Sequence, residues 1–413
     1  MLLHARELAL QPLDVFRRER MPGHHEQDVV LFLDMLAQQP DVAVGLRAND
    51  GDGDHVAPLS RVQVEADINT SIEPAAWMKL VLQGQDSRIF ENFRVPSAPP
   101  YRDSMDLRLG FLELGDLERR PISLRVGRQE LAFGEQRLIG SLGWTNTARS
   151  FDALRVAVRH RGYRLDAFAA SVVNPRDGEF NRRADGNNLH GLYGGFEKLV
   201  PQATIEPYLL WRVAPRSHFK TTGLRWVGTL PRRFDYGLEM AGQTGDAVRA
   251  WAGHWLLGYT RGSARLIGEY NFASGDDDPT DGVRGTFDQL YPTGHDKYGL
   301  ADQVGWRNIH HFRFGVERKW GPKWMLAASY HTWWLASARD GLYNAAGAPV
   351  AGAPQGVTAR HVGQELDVQA VHALSKRFQV GAGFAHIFPG AFLKRATPGM
   401  ALSFPYASLG YSF

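Results

Sequence analysis

The chain has 413 residues, with 47 Lys and Arg against 44 Asp and Glu for a formal net charge of +3, and no cysteine. Charges this balanced, and mixed along the chain, give no surface of the kind that nucleic acid requires, while the missing thiols exclude a disulfide framework, thiolate metal sites and a cysteine nucleophile. Gly (44), Phe (22), Tyr (13) and Trp (11) are plentiful, mean hydropathy is −0.31, and no run of about 18 apolar residues occurs, which excludes helical membrane spans but not one large barrel of strands.

Residues 1–40 show no basic segment leading into an apolar core and a small-residue cleavage site. They are left as an N-terminal segment without a recognisable signal peptide, and residues 41–413 are read as a single outer-membrane β-barrel domain. Asp41–Arg47 reads as a short first strand, with Val42, Val44 and Leu46 on one face. From Leu59 the alternation is clear: Val62, Val64, Ala66 and Ile68 are separated by Gln63, Glu65 and Asp67, a period of two that suits a strand and would put charge on every face of a helix. The same pattern recurs at 76–86, 106–115, 121–128, 153–160, 163–173, 189–198, 202–212, 219–228, 233–242, 250–260 and 263–272, then at 308–318, 323–334, 362–373 and 378–387. It ends in Phe404–Phe413, where Phe413, Tyr411, Leu409 and Ala407 share a face. These are roughly seventeen strands of about ten residues, the length of a tilted bilayer crossing. The stretch near Val42 brings the count to the even eighteen that leaves both ends in the periplasm.

The joints alternate in length. Those at 117–120, 161–162, 200–201, 229–232, 261–262, 320–322 and 375–377 are short, whereas those at 88–105, 129–152, 174–188, 273–307, 335–361 and 389–403 are mostly longer and rich in Gly, Pro and Asp. Short turns on one side and long loops on the other is the asymmetry of outer-membrane barrels, and it puts the long loops outside the cell. The expected surroundings are therefore outer-membrane lipid in a bacterial outer membrane, with the terminal aromatic Phe413 as the handle for the barrel-assembly machinery.

Candidate pore residues follow from the inward faces and from the loops that return to them. Arg125, Arg128, Arg137, Arg149, Arg155 and Arg159 fall in strand and loop segments of one sector, with Asp152 among them; Arg225 and Arg313 lie on inward strand faces and Arg307 closes the longest loop. A planar guanidinium holds a carboxylate with two parallel hydrogen bonds, which suits stepwise passage of an anionic saccharide or small polar solute. The alternative is that these arginines pair with Glu130, Glu135 and Asp152 and brace a loop folded into the barrel. The loop 273–307 is too long for an idle connection and is expected to fold over or into the pore. Its Asp276, Asp277, Asp278 and Asp281 lack the spacing of a calcium loop and read as solvated acids. His310 and His311, adjacent on a strand, point to opposite faces. Trp77, Trp226, Trp251, Trp255, Trp324, Trp333 and Trp334 fall near strand ends, where an interfacial girdle explains most of them. Ser329 and His331 share a face, which leaves open a lipase or deacylase on the barrel rim. No cofactor, nucleotide or metal site is expected.

Leu124–Leu131, Gly134, Arg137–Gly140, Trp144–Asn146 and Arg149–Asp152, together with Arg284–Pro292, His295–Gly299, Asp302–Trp306 and His386–Gly390, resemble the alginate export family over roughly Leu59 to Phe413. The resemblance implies an eighteen-stranded barrel and an exporter whose basic lumen passes a polyuronate. The short joint at 375–377 departs from the long periplasmic segment of the exporter that names the family, and inward basic and acidic residues are roughly matched. Both favour a simpler porin-like channel, with a general non-specific porin as the alternative.

Overall fold

In the computed structural model the structure describes residues 32–37, 60–91, 102–115, 117, 120–215, 217–353 and 358–411. The strands are β1 (Phe32–Ala37), β2 (Ser60–Ala75), β3 (Met78–Glu91), β4 (Asp103–Leu114), β5 (Ile122–Gln129), β6 (Phe151–His160), β7 (Tyr163–Asn174), β8 (Arg182–Phe196), β9 (Ala203–Ala214), β10 (Ser217–Leu230), β11 (Phe234–Gly245), β12 (Val248–Arg261), β13 (Ala264–Ala273), β14 (Ile309–Trp320), β15 (Trp324–Leu335), β16 (Leu342–Tyr343), β17 (Pro349–Ala351), β18 (His361–Ala373), β19 (Phe378–Pro389) and β20 (Leu402–Tyr411). β16 and β17 form a small hairpin within one loop. The other eighteen make one sheet among the described residues, each strand antiparallel to the next from β1 to β15, then on to β18, β19 and β20. β1 and β20 lie against each other, so the first and last strands of the sheet meet, as a wall in lipid requires.

All seventeen alternating segments from residue 59 onward are strands. For the eighteenth, Asp41–Arg47 lies outside the described residues; the strand that pairs with β2 is Phe32–Ala37, in register with Glu65–Ser60. Phe-Leu-Asp-Met-Leu-Ala has no period of two, so only the ladder of its neighbour identifies it.

The polarity is that of a barrel in lipid. In β12, Trp251 and Leu257 are exposed on one face, and Ala252 and His254 are buried on the other. Leu154, Leu192, Leu224, Leu266, Phe314 and Val368 extend the exposed apolar surface around the wall. Charge is inside: Asp166, Glu206, Arg225, Glu239, Arg265, Glu269, Arg313, Glu317, Glu365 and Asp367 are all buried. Two joints on the long-loop side are tight, between Ala214 and Ser217 and between Gly245 and Val248. This leaves a low rim over which the longest loop folds, its Arg284 N–H donating to Ala247 O (2.6 Å) and its carbonyl accepting from Arg249 N (3.2 Å).

Candidate pore constriction

The joints between β5 and β6 and between β13 and β14 carry apolar residues that have no period and cannot face water. They are buried within the barrel: Leu131, Leu138 and Ile139 from the first, Phe287, Tyr298, Leu300 and Trp306 from the second. The two loops meet at one parallel bridge, Ile139 with Tyr291, made by Gly140 N to Tyr291 O (2.8 Å) and Tyr291 N to Leu138 O (2.8 Å), and Thr293 N adds a bond to Gln136 O (2.9 Å). Side chains of the wall hold the second loop in place. Gln243 accepts from Asp288 N (2.8 Å) and donates to Asp288 O (2.7 Å), and the indoles of Trp306 and Trp333 donate to Phe272 O (2.9 Å) and Tyr298 O (3.1 Å). Buried backbone groups are thus satisfied without a sheet of their own.

Beneath the loops runs a belt of paired charge. Arg225 donates to Glu206 (2.7 Å) and Glu135 (3.2 Å). Arg137 lies 3.3 Å from Glu135 and donates to Glu269 (2.9 Å) and to the Tyr298 hydroxyl (3.2 Å). Glu269 also accepts from Arg313 (3.4 Å) and Asn271 (2.9 Å). Asn271 then reaches His311 (2.9 Å), His311 reaches His331 (2.9 Å), and His331 lies 3.2 Å from Asp367. Burial pushes the Glu135 carboxyl up, but Arg137, His254 and Arg225 outweigh it and hold this loop carboxylate well below the usual range. The belt braces the loops, each of its guanidiniums being paired with a carboxylate.

The ten residues singled out from the sequence therefore do not form one cluster. Arg137, Arg225 and Arg313 belong to the belt. Arg128 and Asp152 make a two-bonded pair (2.9 and 3.3 Å) that also fixes Leu107 O and Asn181 O. Arg125 pairs with Glu113 (2.8 Å), and Arg155 and Arg159 share Asp166 (2.7 and 3.1 Å). These last three line the vestibule on the short-turn side with Arg164, which reaches Glu206. Like charges face each other there, Arg125 opposite Arg155 and Arg159 opposite Arg164. Of the expected bracing acids, Glu135 and Asp152 take arginines of this set, and Glu130 takes Arg108 (2.7 Å).

Arg149 and Arg307 differ from the rest. Arg149 donates to Gly140 O (3.2 Å) and Pro292 O (2.9 Å) and lies over the Tyr291 ring. Burial pulls this guanidinium down to about 10, so it stays charged at neutral pH. Arg307 donates to Gly347 O (3.1 Å) and lies 4.4 Å from the Tyr343 ring centroid. Close to them are two arginines that the sequence did not mark as site residues, Arg212 over Tyr291 and Phe219, and Arg284 over Phe219. Asp288 answers both, at 2.7 Å from Arg212 and 4.0 Å from Arg284. Burial lowers the Arg284 guanidinium and Asp288 opposes this, while Arg307 and Arg212 push it further down. Arg212 Nε, Arg284 Nε and Nη2, and Arg307 Nε are buried without a hydrogen-bond partner among the described residues. Arg284 and Asp288 stand four apart in the loop motif Arg284–Pro292, a spacing with no meaning outside a helix, so only the folded loop shows them as partners.

Other expectations resolve locally. Trp77, Trp251 and Trp324 are exposed at strand ends, but Trp333 is buried on the inner face beside His311 and His331. A register shift between Trp333 and Trp334 accompanies that placement. Asp278 and Asp281 accept from the backbone N–H of Thr280 (3.1 Å) and Val283 (2.7 Å), capping turns in the loop. Ser329 accepts from Arg313 (3.2 Å) while His331 serves His311 and Asp367, so the serine and histidine go to different partners on an inner face. Phe413 lies outside the described residues.

Among solved structures the chain is similar to OpdQ of Pseudomonas aeruginosa (TM-score 0.65, 11% identity, covering 94% of this chain and 97% of that one). It is also similar to OccAB2 of Acinetobacter baumannii (TM-score 0.63, 10% identity, 94% and 97% covered) and to the outer membrane protein opdK of Pseudomonas aeruginosa (TM-score 0.62, 11% identity, 94% and 99% covered). At these identities the likeness is one of fold. No curated protein sequence matches the chain. The alginate export profile matches residues 38–404, and with a closed, inward-charged barrel of eighteen strands behind that match, the chain belongs to the alginate export family of bacterial outer-membrane channels.

Proposed function

We propose that this channel passes polar, anionic solutes, acidic saccharides among them, and that Arg212, Arg284 and Arg307 form its selective constriction. One observation carries the reading: Arg212 and Arg284 meet a single carboxylate, Asp288, Arg307 adds a third guanidinium beside Arg284, and four nitrogens of the three have no hydrogen-bond partner among the described residues. A buried donor left unmade costs about 1–3 kcal/mol, and a passing carboxylate or sulfate relieves that cost for as long as it stays. Arg149 extends the positive surface along the loop seam, and Arg125, Arg155, Arg159 and Arg164 present a second one in the vestibule on the short-turn side. Between them the belt is neutralised, so an anion leaves one basic station, crosses a stretch with little net pull and meets the next.

The test is the reversal potential of refolded protein in a planar bilayer under a salt gradient, followed by block with uronate oligomers of increasing length. Anion selectivity with block that strengthens with length is expected, and Arg284→Gln with Arg307→Gln should abolish both. Weak selectivity and no block would leave a general porin on the family's scaffold.

A further inference from the structure

The tip of the inward loop, Tyr298–Ala301, rests on titratable groups. Leu300 N–H donates to Asp367 Oδ2 (3.1 Å) and Ala301 N–H to Glu365 Oε1 (3.0 Å). Glu365 and Asp367, two apart on β18, lie against each other, and their remaining oxygens, Glu365 Oε2 and Asp367 Oδ1, are buried without a donor among the described residues. Gly299, at φ +124°, brings the backbone so near that a Cβ would stand 2.7 Å from both Glu365 oxygens. Only glycine allows that approach. On the next strands His331 meets Asp367, and the rings of His331 and His311 stack at 5.1 Å and 1°. Tyr298 sets its ring edge-on against His311 and its hydroxyl against Arg137.

We propose that this seat is a proton-operated latch: the loop tip is held while the Glu365–Asp367 pair keeps a carboxylate charge, and acidification, by protonating the pair, releases it and widens the pore. A proton on either carboxyl turns a charge-assisted hydrogen bond into an ordinary one, about half as strong. With its Nε2–H on Asp367, His331 accepts at Nδ1 from His311, whose own Nδ1 accepts from the Asn271 amide, so the histidine pair passes hydrogen bonds in one direction onto the seat. The other charged groups around the seat are accounted for. Asp302, near Glu365, pairs with His295 (2.9 Å), and Lys297 lies 3.7 Å from Asp296. Arg313 stands opposite His331 in register. Glu269, Arg313 and Arg137 surround His311 and are bonded to one another. Among these groups the carboxyl pair sets two groups of like charge against each other, so it is where protons enter.

The inference concerns the channel just described, but one of its tests needs no current. Hydrogen–deuterium exchange of the peptide over 295–304, corrected for the intrinsic pH dependence with barrel-strand peptides, should rise about tenfold or more between about pH 7.5 and about pH 5. Single-channel records over the same range should show the open level gaining at the expense of the closed. In the double variant Glu365→Gln, Asp367→Asn, exchange should already be fast at the higher pH and should change little on acidification. Loss of exchange protection in every barrel peptide would mark that variant as unfolded; the single variant His331→Gln, with the carboxyls kept, then carries the test and should retain less of the pH response. An unchanged loop in the native protein across this range, or a full pH response in a folded double variant, overturns the latch.

Discussion

Arg137→Met removes the guanidinium that joins the two inward loops to the wall. Arg137 is 4% exposed, so solvent screening does little to soften the loss. Breaking a buried ion pair at one end costs about 3–5 kcal/mol when the abandoned charge has no other partner. Here each carboxylate keeps one: Glu135 retains Arg225 at 3.2 Å, and Glu269 retains Arg313 at 3.4 Å and Asn271 at 2.9 Å. The expected cost is therefore about 2–3 kcal/mol, nearer the loss of hydrogen bonds to a charged group than of a whole pair. It falls on the loops, since none of the ladders between neighbouring strands involves residue 137. Single-channel conductance should rise and become noisy, while the heat needed to unfold the barrel on a gel stays almost unchanged. In the cycle with Glu269→Gln, the double variant should recover about 1 kcal/mol or more relative to the sum of the singles. A quiet channel of native conductance in Arg137→Met would refute the idea that the belt holds the loops.

Asp288→Asn should raise anion selectivity, and Arg284→Gln should lower it by about 1 kcal/mol, roughly fivefold in the permeability ratio; reversal potentials read both. Glu135 has its folded pKa depressed, so its stabilisation is full above the ordinary glutamate range and is lost only as pH falls through the lower folded value. Glu135→Gln should therefore loosen the loops at neutral pH yet leave the response between about pH 7.5 and about pH 5 as it is in the native protein, which separates this tether from the β18 carboxyls by hydrogen exchange. Gly299→Ala should free the loop tip through positive-φ strain and collision with Glu365, about 1–3 kcal/mol, seen as faster exchange over 295–304. Leu154→Arg, on the lipid face, should destabilise the barrel by up to about 2–4 kcal/mol in a folding titration into bilayers.

How much of this the sequence disclosed depends on whether a period was present. The wall was legible because lipid on one face and charged lumen on the other force a repeat of two, and in β12 the split between Trp251 with Leu257 and Ala252 with His254 falls where alternation puts it. β1 was not, since Phe32–Ala37 joins the sheet through the ladder of β2 and carries no alternation of its own. The inward loops were legible only as long and apolar in places; Arg284 and Asp288, or Glu135 and Arg225, become partners through chain returns of up to 90 residues in sequence, and no local spacing encodes that. Trp333 shows the reverse failure, where a strand-end tryptophan that reads as an interfacial anchor is carried to the lumen beside a register shift.

A lumen whose acidic and basic residues roughly balance can still discriminate, because an ion responds to charges within reach and not to their sum. At about 4 Å two unit charges interact by about 1 kcal/mol in bulk water and about 4 kcal/mol where the effective dielectric constant is near 20. In the belt, Arg137, Arg225 and Arg313 each meet a carboxylate at that distance or less, so their fields cancel for anything further off. At the loop seam, Arg212 and Arg284 share Asp288 with Arg307 close to Arg284, and the three do not cancel. The same loop presents Arg284 and Arg307 and rests its tip on Glu365 and Asp367, so whatever loosens the tip also moves the constriction. Selectivity and opening are then coupled through one segment, and a variant that frees the tip at neutral pH should lose anion preference along with its closed level.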